Sequence, residues 1–203
     1  MRTAFATVVL LGACALVHAQ PVKDPDPRYG IPARVKLYPQ SAPKAALKSA
    51  LERIDAGDFA YLVAHILDPK FVDEAVADRA KGYEAAIERE LAQLRDFQRA
   101  NPDKVAPGTF VPFDPKEFRA VAAAKARERG FKQLLRDVEE KFKEDPQTLK
   151  DMRKIARDGA FVEGEPSASA AHDTVKGRTL YFKKIGDRWF LENRQADEPT
   201  KDP

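Results

Sequence analysis

Asp58, Tyr61 and His65 are the residues whose types and spacing best suit acid–base chemistry. A carboxylate, a phenol and an imidazole at steps of three and four residues share one face of a helix. The same helix turns its apolar side through Phe59, Leu62, Val63 and Ile66. With Phe59 as origin and about 100° per residue, Asp58, Tyr61 and His65 fall near 260°, 200° and 240°, opposite that side. The expectation is therefore a polar outer face, with the trio as catalytic candidates only if the helix is rotated inward. His172 and Asp173 are adjacent in sequence, but a working base needs a hydrogen-bond geometry that adjacency does not supply.

Little else in the chain carries chemistry. Cys14 is its only cysteine, and His65 and His172 are the only histidines beyond His18. Two histidines without a His-x-x-x-His spacing do not make a zinc site, so no metal or cofactor is expected. There is no Gly-rich phosphate loop, no Gly-x-Ser-x-Gly elbow and no dinucleotide fingerprint. The 35 basic residues nearly cancel the 32 acidic ones, and a net charge of +3 leaves no nucleic-acid footprint. Lys176, Arg178, Lys183, Lys184, Arg188 and Arg194 do outnumber the acids near the C-terminus. They are a candidate surface for an acidic partner, against the plainer role of keeping an exposed strand from pairing with other chains.

The chain opens as an export signal. Met1-Arg2 is a positive start, Ala4 to Val17 is an apolar run short for a bilayer span, and Val17-His18-Ala19 suits a peptidase cut after Ala19. Residues 1–19 are read as a signal peptide and the product as exported, periplasmic or extracellular, with no transmembrane span. The competing reading takes Leu11-Gly12-Ala13-Cys14 as a lipobox that leaves the protein lipid-anchored through Cys14. Six prolines between 21 and 43 make residues 20–43 a tether, with Val35 and Leu37 as candidates for a short extended contact. Residues 44–194 form one domain, and the proline-punctuated residues 195–203 are expected to be disordered.

Within the domain, helix signals come first. Leu47, Ala50, Leu51 and Ile54 mark one helical face that Gly57 ends. Asp68-Pro69, Asp114-Pro115 and Asp145-Pro146 each pair an N-cap with a first-turn proline, and Glu117 adds a capping box to the second. Stripes run through Tyr83, Ile87, Leu91, Leu94 and Phe97, and through Phe131, Leu134, Leu135, Val138 and Phe142. Asn101 to Phe113 reads as a long loop, and a last helix carries Leu149, Met152 and Ala156. After Gly159 the period changes. Phe161-Val162 is a short strand, Ser167 to Ala171 a loop, and Thr174 to Asn193 a hairpin about Gly186-Asp187. A two-residue turn pairs Lys184 with Trp189 and Phe182 with Leu191, which puts Leu180, Phe182, Trp189 and Leu191 on one face and Tyr181, Lys183 and Phe190 on the other. The fold class is α+β, N-terminal helices packed against a small C-terminal antiparallel sheet.

Asp55-Ala56-Gly57-Asp58-Phe59 between early helices, and Leu180 to Leu191 with its Gly186-Asp187-Arg188-Trp189 turn, resemble small exported members of the nuclear transport factor 2-like superfamily. The resemblance implies an α+β cone in which a curved sheet wraps helices around a pocket, and in whose enzymes Asp58, Tyr61 and His65 would be the acid–base groups. The helical insertion from Tyr83 to Ala156 departs from that pattern. The expected function is a non-enzymatic exported binding or interaction module; the alternative is a cone-pocket isomerase, dehydratase or hydrolase.

Overall fold

The computed structural model describes residues 24–104, 106 and 110–194. The expected signal peptide, Cys14 and the tail from residue 195 lie outside the described residues.

Helix α1 (Pro43–Asp55) starts at a proline and ends two residues before Gly57, whose φ of 68° turns the chain. Asp58 caps a single α-helical turn, α2 (Phe59–Tyr61), that widens into a π-helical turn, Leu62–Ile66. Then come two long antiparallel helices, α3 (Pro69–Ala100) and α4 (Pro115–Glu144), and a shorter α5 (Pro146–Asp158). All three Asp-Pro starts are used as their chemistry requires. Asp68 accepts from the Lys70 N–H at 3.1 Å, Asp114 from the Lys116 and Glu117 N–H groups at 2.9 Å, and Asp145 from the Thr148 N–H at 3.1 Å.

The sheet is an antiparallel meander in the order β1-β2-β3-β4: β1 (Ala160–Glu163), β2 (Ser167–Ala171), β3 (Leu180–Ile185) and β4 (Arg188–Leu191). The hairpin register is the one its turn chemistry selects, Phe182 opposite Leu191 and Lys184 opposite Trp189, with Gly186 at φ 63°. Ser167 to Ala171 is a central strand, not a loop. Its serines and alanines have low strand propensity, yet Ala168 and Ala170 alternate inward opposite Phe182 and Leu180, where small side chains fit between larger ones. Phe190 also departs from expectation. It lies on the sheet's other face but is buried, beneath the Arg188 guanidinium 4.9 Å from its ring.

The main core joins α1, the π turn and α5 to the inner face of the sheet through Leu47, Ile66, Ile155, Phe182 and Trp189. A second cluster links the π turn to the base of α3 and α4. A third, built on Ile87, Leu91, Ala122 and Ala126, holds the far half of the α3–α4 hairpin together. Near the base the two helices cross so closely that a Cβ on Gly130 would stand 2.7 Å from the Val76 carbonyl oxygen. At the far end the buried amide of Gln98 donates to the Val111 carbonyl at 3.1 Å and accepts its N–H at 3.0 Å, tying the return loop to α3 as a strand partner would. No described helix is long and apolar enough to cross a membrane.

The proline-rich segment is not a free tether over its described part. Arg28 to Ile31 closes a tight turn with Tyr29 and Gly30 both at positive φ, and the Tyr29 ring stacks on Phe131 at 4.4 Å. Further on, Tyr38 meets Tyr61 edge-on at 4.7 Å, and Gln40 pairs with the backbone of Trp189 in both directions at 2.8 Å. Leu37 is exposed, so the expected contact shifts to Ala33, Tyr38 and Gln40. Prolines deny this strap a repeating ladder but leave its carbonyls, aromatic rings and single amides free to bond.

Candidate functional site

The strap decides the fate of the sequence candidates. Tyr61 and His65 are 2% and 1% exposed, so the expected outer polar face does not exist. Every residue from Tyr61 to Ile66 is buried, because the strap covers the side that α1, α3 and the sheet leave open. The polar groups face main chain rather than water. The Tyr61 hydroxyl accepts the Arg34 N–H at 3.0 Å, and His65 Nε2 lies 2.8 Å from the Ile31 carbonyl oxygen, which makes Nε2 the protonated nitrogen. Desolvation lowers the His65 pKa, opposed by the Ile31 carbonyl and assisted by the charges of Arg188 and Arg28. The imidazole is thus held neutral in a closed site.

The wider π turn changes hydrogen bonding as well as phase. Its Leu67 N–H reaches back to the Leu62 carbonyl at 3.0 Å, leaving later carbonyls without helical donors. Arginines take them: Arg28 donates to the Ala64 carbonyl at 3.0 Å and Arg188 to the His65 carbonyl at 3.0 Å, while Arg188 also grips the Gln40 side-chain oxygen. Asp58 is committed too, accepting the Tyr61 N–H at 3.1 Å and pairing with Arg53 at 3.3 Å. The structure therefore brings Tyr61 and His65 together, with ring centroids 4.9 Å apart, and uses them to hold the strap, while Asp58 ties α1 to α2. His172 is elsewhere. Its Nδ1 accepts the Thr174 N–H at 3.1 Å, and among the described residues no hydrogen bond joins it to Asp173.

Four of the six hairpin cations also have work inside the molecule. Arg178 pairs with Asp145 and Asp151, Lys184 with Glu165, and Arg188 is sunk as described. Arg194 lies 3.8 Å over the Tyr181 ring.

A concavity with a mostly apolar exposed lining opens where α3, α4, α5 and the end of β4 meet. It is a cleft of about 450 Å³ lined by apolar side chains, Leu67, Phe71, Val138, Phe142, Met152 and Leu191, together with polar ones that include Arg79, Asp137, Lys141 and Asn193. Arg79 and Asp137 face each other at 2.7 Å, and this pairing together with Gln133 holds the Asp137 carboxyl below its usual range against the opposing effect of desolvation. Neither histidine nor Tyr61 lines it. In sequence its residues read only as core. The stripe Phe131 to Phe142 does begin buried, but Val138 and Phe142 are only half-buried, packed at the edge of the core, and line the cleft. A periodic pattern says which residues share a face, not where the covering element ends. Among the described residues no three His, Cys, Asp or Glu side chains gather to hold a metal. No protein-family model, no curated protein and no solved structure matches this chain.

Proposed function

We propose that this protein is a non-enzymatic exported binding module that holds an apolar group in the cleft between α3, α4, α5 and β4. The observation carrying the reading is chemical. The exposed lining of the cleft is mostly apolar, with ionic and polar side chains such as Arg79, Asp137, Lys141 and Asn193 among it, as ligand sites have, while the chain's acid–base candidates are spent on internal bonds elsewhere. The resemblance to nuclear transport factor 2-like proteins belongs to the same proposal. A meander sheet with α1 across its inner face supports it, and the α3–α4 hairpin is where this chain departs from it.

Titration with an environment-sensitive apolar fluorophore tests the cleft. Placing a carboxylate on its wall with Val138→Asp should weaken binding about tenfold or more while the fold, read by circular dichroism, persists. Equal affinity in the two proteins would remove the cleft from consideration. Export is tested separately by intact mass: a product beginning at Gln20 is expected, and an acylated Cys14 would replace release with a lipid anchor.

A further inference from the structure

Beyond the cleft, the α3–α4 hairpin has an end of its own. Among the described residues from about Glu84 to Ala126, the apolar side chains of the two helices and of Val111 pack on each other, so this half projects roughly 25 Å from the rest of the molecule at 1.5 Å per residue. Its tip shows large apolar side chains to water. Leu94 is 48% exposed, Phe97 51%, Phe110 62% and Phe113 44%, and Phe110 meets Phe113 edge-on at 5.9 Å.

The charges there are arranged unlike those of the remaining surface. Among the described residues, every ion pair lies outside Leu91–Arg119. Arg95, Arg99, Lys104, Lys116 and Arg119 have no carboxylate partner among the described residues; Arg99 instead lies 5.6 Å from the Phe113 ring and Arg95 4.6 Å from Phe118. The acids of the same stretch, Asp96, Asp103, Asp114 and Glu117, likewise form no ion pair among the described residues, Asp114 accepting backbone N–H groups instead, so the cations exceed the acids by one. Exposed phenylalanines among unpaired cations on a projecting end are the combination an anionic bilayer surface accepts, apolar rings entering below the headgroups and cations staying level with them.

We infer that the tip of the α3–α4 hairpin docks on anionic lipid surfaces through Phe110, Phe113, Phe97 and Leu94, with Arg99 and its neighbouring cations at headgroup level. A second copy fits this tip less well. Four half-exposed side chains of this size offer roughly 400 Å², about half of what one partner gives a stable protein interface.

The test uses the full chain with Phe110→Trp, whose indole reports on the tip, while Trp189 is buried and supplies a constant background. With phosphatidylglycerol vesicles its emission should shift to the blue and be quenched by brominated acyl chains. The response should fade in phosphatidylcholine vesicles and at high salt, because surface charge attraction is screened. In an otherwise unchanged chain, Phe110→Ser with Phe113→Ser should weaken the part of vesicle binding that salt removes about tenfold or more. An indole that stays in water, or one that responds equally to neutral and anionic vesicles, would overturn the inference. So would a concentration-dependent dimer abolished by the same two substitutions, since the tip would then be a self-interface.

Discussion

His65 shows what burial does to a residue that looks catalytic. Its imidazole donates to the Ile31 carbonyl with two arginines nearby, and desolvation lowers its pKa from 6.5. The folded chain refuses a proton that the unfolded chain accepts, so stability falls as pH drops below about 6.5. The loss approaches about 1.4 kcal/mol per pH unit until the folded-state pKa is passed, where it levels off. The carboxylates held low by their partners, such as Asp137, act at more acid pH and in the same direction. Urea midpoints between pH 7.5 and 5 should therefore decline in the wild type and stay nearly flat in His65→Gln, which cannot titrate. Parallel curves for the two proteins would mean that the imidazole is not enclosed as described. That Asp58, Tyr61 and His65 share an early helical segment was legible in the sequence; the π turn that alters its phase and the strap that covers it were not. The strap meets them through backbone groups of Ile31 and Arg34, and main-chain bonding leaves no mark in residue type.

At the level of elements, capping chemistry was the most readable feature. Asp68, Asp114 and Asp145 each do locally what their side chains favour, and the Gly186-Asp187 turn set a register that tertiary contacts did not alter. Ser167 to Ala171 escaped because its strand is specified by its neighbours' bulk rather than its own propensity. The close crossing of α3 and α4 was equally hidden, since Gly82 and Gly130 look alike in a helical pattern. They should behave in opposite ways. Alanine at Gly82 meets nothing within 4 Å and should add about 1 kcal/mol of stability through helix propensity. At Gly130 the new methyl would press on the backbone of Val76 and Ala80. Overpacking of that kind costs about 1 to 3 kcal/mol, which outweighs the same propensity gain. Thermal denaturation of the two variants decides it: a Gly130→Ala protein as stable as Gly82→Ala would mean that the helices stand further apart.

For the molecule as a whole, burial is divided unequally between a body and a projection. In the body, α1, the π turn, α5 and the sheet enclose one another, and Gln40 and Asp68 bond to the outer edge of β4, which would otherwise be open. In the projection, α3 and α4 have only each other, over a seam in which Ala80, Ala122 and Ala126 supply much of the contact and bury little area per residue. Opening the tip therefore exposes less apolar surface than opening any part of the body, and local stability should fall along the hairpin toward its end. Hydrogen exchange should show the amides of residues 84–100 and 115–126 exchanging faster than those of 62–66 and of the β3–β4 pair. The Gln98–Val111 clasp sets a floor on that loosening. With Gln98→Leu, the buried Val111 amide groups lose their partner at about 1 to 3 kcal/mol. Exchange should then speed up at the tip while the body keeps its protection. Uniform protection along α3 and α4, or a Gln98→Leu effect spread evenly through the sheet, would show that the hairpin and the body unfold as one unit.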